Sequence, residues 1–135
     1  IDYLVNMSRS FIFSTALSPA DIGAALAALH VLESDTSVLR QLQNNVNYMA
    51  DCLNSIGIYA TNDTTIFPIL IGSNEDTLAV SNYLYNAGII GTAIRPPTVP
   101  VGESRIRLTV TAAHDKEQIN YVCQSLHKAM KQLDS

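Results

Sequence analysis

The chain has 135 residues, a formal net charge of -4, 47% hydrophobic residues and only 15% charged ones. That length supports one core, the apolar share excludes a disordered chain, and the acidic balance argues against a nucleic-acid or acidic-membrane partner. No apolar run approaches the roughly 18 residues a bilayer requires, and the start lacks a basic region followed by an apolar stretch. Cys52 and Cys123 sit alone in helical patterns, so a reducing, cytoplasmic setting is expected.

Residues 1–18 open apolar and mixed, with Phe11-Ile12-Phe13 reading as a short extended piece. Ser18-Pro19-Ala20-Asp21 is a helix start, with Ser at the N-cap, Pro at N1 and an acid at N3. The helix runs to about Glu33. Its small residues Gly23, Ala24, Ala25, Ala27 and Ala28 permit close approach, and a helix apolar most of the way round is expected to be buried, although these 135 residues offer little to cover it. From Thr36 to Ile56, apolar residues at Leu39, Leu42, Val46, Met49, Leu53 and Ile56 mark an amphipathic helix that Gly57 ends. Ile66 to Ile71 is an apolar run between turn residues and reads as a buried strand. Asn74-Glu75-Asp76 begins the next helix, Gly88 closes it, and Ile89 to Ile94 follows as a second strand.

Pro96, Pro97 and Pro100 make the next segment a stiff loop, because proline fixes φ and withholds an N–H. Arg105 to Val110 then alternates as a third strand, with Arg105 and Arg107 on one face. Asp115 and Gln118 fit a capping box for a last helix lined by Ile119, Val122, Leu126, Ala129 and Leu133. After two leading helices the order is β-α-β-β-α, which predicts an α+β fold with helices on one face of a small sheet.

Residues 94–114 hold three of the five arginines and three of the five prolines. A guanidinium on a strand fed by a stiff loop holds a planar anion recogniser still, and its fork grips a carboxylate in a two-pronged way that Lys cannot. Arg107 is the leading candidate, although taken alone a strand arginine more often reaches solvent or pairs with an acid. Thr98, alone, would cap a turn. Ser14 and Thr15 precede a helix start, where hydroxyls and N–H groups suit phosphate, although such pairs more often only cap. His114 reads as a structural loop residue, and His30 and His127 have no spacing for metal or acid–base work. No metal cluster, phosphate-binding glycine loop or dinucleotide glycine pattern is present in the sequence.

The string RPPTVPVGESRIRLTVTAAH, Arg95 to His114, resembles the C-terminal signature of the α-oxoamine synthases. These are pyridoxal-phosphate enzymes, class II aminotransferase-like, that condense an amino acid with an acyl thioester and release carbon dioxide. SRSFIFSTALSPA, Ser8 to Ala20, is similar to the segment that follows the catalytic-lysine region in that family. The resemblance covers the whole chain but only the last third of such an enzyme, and with Ile1 in place of an initiator Met it reads as a fragment. It implies the C-terminal small domain of a fold-type I enzyme at residues 34–135, preceded by the tail of the large domain and a connecting helix at 1–33. Arg107, the second arginine of the R-x-R pair, would hold the substrate carboxylate, and Thr98 would contact the substrate. Arg105 would only brace the site and is not counted among its residues, and Arg95 would help with the acyl or carboxylate end. Ser14 and Thr15 would reach the cofactor phosphate of a partner subunit across a homodimer.

The loop wording IRPPTVP is most similar to the biotin-pathway branch, which implies L-alanine and a pimeloyl thioester carried by CoA or by an acyl carrier protein. Branches that acylate glycine or serine share R-x-R but resemble the loop less. A stand-alone module that binds a small carboxylate is the reading from another class. The cofactor needs a Schiff-base lysine, and Lys116, Lys128 and Lys131 all fall on the final helix. The fragment is therefore expected to contain no catalytic residue, to be inactive, and not to hold the cofactor by itself.

Overall fold

A computed structural model describes residues 1–12 and 17–133, which fall into two units, Ile1–Thr36 and Ser37–Ser135. The first holds α1 (Asp2–Met7), α2 (Arg9–Ile12) and α3 (Pro19–Ser34). The extended reading of Phe11-Ile12 is overturned by α2, where the Ile12 N–H donates to the Ser8 carbonyl at 3.0 Å. A strand must be laddered to a neighbour, and among the described residues this unit offers none, whereas a helical turn closes on itself. Phe13 lies outside the described residues. Helix α3 starts as expected: Ser18 is extended and its Oγ accepts from the Asp21 N–H at 3.2 Å. The expected burial of α3 is not met within this chain, because none of its residues is buried.

The second unit contains α4 (Ser37–Ser55), β1 (Ile66–Gly72), α5 (Asn74–Asn86), β2 (Thr92–Ile94), β3 (Ser104–Thr109) and α6 (Lys116–Leu133). Local chemistry fixes the helix ends. Ser73 Oγ accepts from the Asp76 N–H at 3.0 Å. Asp115 and Gln118 form a reciprocal box, with Asp115 N–H to Gln118 Oε1 at 3.1 Å and Gln118 N–H to Asp115 Oδ1 at 2.7 Å. Gly88 takes φ of 76°, which lets the Ile89 N–H turn back onto the Leu84 carbonyl at 2.8 Å and end α5.

The sheet order is β1-β3-β2, antiparallel throughout. Phe67, Ile69, Ile106 and Leu108 point to one face, where Val46, Met49 and Leu53 of α4, Val80 and Leu84 of α5, and Ile119, Cys123 and Leu126 of α6 complete the core. The other face is open. Three details differ from the sequence reading. The strand at Ile66–Ile71 is buried on one side only, with Leu70 62% exposed. Strand β2 has three residues rather than six, because Ile89 still serves the helix cap and Gly91 lies edge-on against the core. A Cβ there would stand 2.9 Å from Leu84 Cδ1 and 3.0 Å from Ile106 Cγ2. Leu39 is exposed in the first turn of α4, whose burial begins only at Asn45. Among the described residues no single helix is long and apolar enough to cross a membrane.

Candidate functional site

The open face of the sheet carries both strand arginines. In register, Arg107 stands between Pro68 of β1 and Thr92 of β2, and Arg105 between Leu70 and Ile94. The same face carries the apolar Ile66, Pro68, Leu70 and Ile94 together with the polar Thr92 and Thr109. The two arginines are engaged differently. Arg105 Nε donates to the Glu103 carbonyl at 2.9 Å, and its Nη2 to Glu103 Oε2 at 2.9 Å. Arg107 is exposed, and among the described residues its guanidinium makes no hydrogen bond or ion pair. Its five donors are available to an anion.

The loop between β2 and β3 is tied down by its own backbone. The Pro96–Pro97 bond is cis, the Thr98 N–H closes a turn onto the Arg95 carbonyl at 3.0 Å, and the Glu103 N–H closes a second onto Pro100 at 3.1 Å. Thr98 is exposed with its hydroxyl unengaged among the described residues. Arg95 Nη1 reaches Asn74 Oδ1 at 3.4 Å, linking the loop to the start of α5. Among the described residues no hydrogen bond joins Thr98 to Arg107. They belong to one hairpin, with the Ile94–Arg105 pair between them. Ser14 and Thr15 lie outside the described residues.

Several other polar side chains hold the fold together. Thr111 N–H donates to His114 Nδ1 at 3.0 Å. Buried Asn45 donates through Nδ2 to the carbonyls of Thr111 at 3.0 Å and His114 at 2.7 Å. That anchor fixes the chain as it leaves β3. Sequence reading missed it because a polar residue beside an apolar stripe looks solvated, and only the fold brings residues 111–114 to it. Glu103 was also missed, because a glutamate after a glycine in a turn looks like surface charge. Cys123 is buried, and burial first, then the neighbouring Cys52 thiol, push its own thiol up. A thiol held protonated is a poor nucleophile. The described residues contain no cluster of side chains able to hold a metal ion. The three lysines lie on α6, which packs on the covered side of the sheet, and Lys116 Nζ sits 5.2 Å from the Tyr48 ring centre. A cleft of about 410 Å³, lined in part by Met49, Ile89, Leu108 and Tyr121, does not include Arg107.

A model of the aminotransferase class I and II family matches residues 1–126. A putative 8-amino-7-oxononanoate synthase of Desulforudis audaxviator is 42% identical over 131 residues, which is 97% of this chain and 34% of that protein. Two solved structures share the fold. An 8-amino-7-oxononanoate synthase from Francisella tularensis superposes with a TM-score of 0.82 at 23% identity, covering 99% of this chain and 39% of that one. A serine palmitoyltransferase from S. paucimobilis gives 0.88 at 21%, covering 98% and 34%. The chain spans about a third of the length of the curated relatives it matches.

Proposed function

The chain belongs to the aminotransferase class I and II family, and from that premise we propose that it is the carboxylate-recognising part of a decarboxylating acyltransferase. The parent condenses L-alanine with a pimeloyl thioester, carried by CoA or an acyl carrier protein, as the name of its 8-amino-7-oxononanoate synthase relatives implies for biotin synthesis. Residues 34–135 are its C-terminal small domain, and residues 1–33 are the tail of the large domain with the connecting helix. The observation that supports this reading is the free guanidinium of Arg107 on an uncovered sheet face beside a second arginine already paired. Arg107 grips the amino-acid carboxylate, and Thr98 on the fixed loop positions the substrate. Ser14 and Thr15 meet the cofactor phosphate of a partner subunit in a homodimer, in the cytoplasm.

Pyridoxal phosphate supplies the electron sink in such a parent. The residues of this chain do not complete its site, because the cofactor needs a Schiff-base lysine and no lysine stands on the face of Arg107. What the chain contributes is orientation: a carboxylate held by two parallel N–H bonds fixes the plane of the group and the direction of the bonds at Cα.

In the full-length protein, Arg107→Lys keeps the charge and loses the fork. One hydrogen bond to a charged group is worth about 1.5–3 kcal/mol, so L-alanine affinity is expected to fall about ten- to a hundredfold. The absorbance of the bound cofactor before substrate is added should stay as in wild type. Calorimetric titration of L-alanine into both proteins reads this directly, and equal affinity would remove Arg107 from the carboxylate site.

A further inference from the structure

Two arginines two residues apart on one strand face have Cα atoms about 6.5–7 Å apart along the chain. If both were free, they would offer one fork to each end of a dicarboxylate. In this chain they are not both free. Glu103 presents its backbone carbonyl and its carboxylate together to the Nε–Nη2 edge of Arg105, each at 2.9 Å. The Glu103 backbone is itself fixed by the turn onto Pro100 at 3.1 Å. Among the described residues no other acid pairs with either arginine.

We propose that Glu103 determines the charge type of substrate this face accepts: by occupying Arg105 it leaves Arg107 as the single carboxylate receptor, selecting an amino acid with one carboxylate over one with two. The proposal rests on the reading of Arg107 as the carboxylate holder. Glu103 acts through Arg105 and is a positioning residue. It touches no substrate atom. Its effect is exclusion: a second substrate carboxylate arriving at Arg105 meets a guanidinium edge already filled and a negative charge beside it.

The test uses the full-length protein with its cofactor and calorimetric titration of L-alanine, L-aspartate and L-glutamate. Glu103→Gln removes the negative charge from Arg105 Nη2 while the backbone carbonyl of residue 103 still holds Nε, and the ratio of dissociation constants, dicarboxylate over alanine, is expected to fall about tenfold, the worth of one new charge-assisted bond at Nη2. Glu103→Ala should shift the ratio the same way. Its side chain is 53% exposed, so both variants are expected to fold, with circular dichroism and melting as the check. Combining Glu103→Gln with Arg105→Gln should return the ratio to the wild-type value, because the freed guanidinium is gone. An unchanged ratio in both single variants, or a shift that survives removal of Arg105, overturns the proposal. Arg107→Lys separates the two ideas. If it weakens alanine while the Glu103 variants leave the ratio fixed, only the role of Glu103 fails. If it leaves alanine affinity unchanged, the carboxylate reading itself fails.

Discussion

Arg105 and Arg107 are alike in type, strand and face, and they differ only in company. Alternation in the sequence places both on one side of β3, and the prolines announce the stiff loop. The sequence does not tell which guanidinium is spoken for, because that depends on a turn that folds Glu103 back onto Arg105. The same holds for Asn45, whose two acceptors lie 66 and 69 residues away. Asn45→Ala removes two hydrogen bonds from a buried amide to a part-exposed turn, and one such bond is worth about 0.5–1.5 kcal/mol. The urea midpoint is therefore expected to drop at unchanged slope. A midpoint equal to wild type would show that water replaces the amide at no cost. For Cys123, burial raises the native thiol pKa above its ordinary value of about 9. The unfolded chain then loses its proton first as pH rises. The stabilising contribution is complete below about pH 9 and is lost progressively above it. Urea unfolding at pH 8 and pH 10 should show a decline that Cys123→Ala reduces, and identical declines in both proteins would exclude this thiol as a source.

Helices were the most legible elements, because their ends are set by neighbours in sequence: Ser18 with Asp21, Asp115 with Gln118, and Gly88 at the close of α5. Strands were less legible, since their limits are set across space. The run Ile66–Ile71 is apolar at nearly every position and so carries no sign of which side lacks cover. β2 is cut short by the approach of Gly91 to Leu84 and Ile106. That shortening makes the Thr92–Arg107 pair the last rung between β2 and β3. The Val110 N–H bonds Thr65 on the β1 side, so by alternation Arg107 and Thr109 direct their amides toward β2. Only Arg107 finds a strand there. Hydrogen exchange is expected to show a protected Arg107 amide and a Thr109 amide that exchanges much faster. Comparable protection at both positions would mean that the ladder extends past Thr92.

At the scale of the chain, the first unit is the part whose surface is least satisfied. Leu17, Ile22, Leu26, Leu29, Val31 and Leu32 are all exposed, and contiguous apolar surface beyond a few hundred Å² marks an interface. The 135-residue chain by itself is expected to self-associate through this segment and to bind an apolar dye. A monodisperse monomer at high concentration in light scattering, with no dye bound, would count against that. The second unit is closed by a different logic, written in its strand order. β1 and β2 never touch each other, since β3 separates them. While the polypeptide is being made, β1 must therefore wait, unladdered, for about forty residues of further synthesis before its partner exists. The strand that bears Arg107 is a keystone: the sheet cannot form without it, so a chain in which the core has assembled is also one in which the anion receptor is in place.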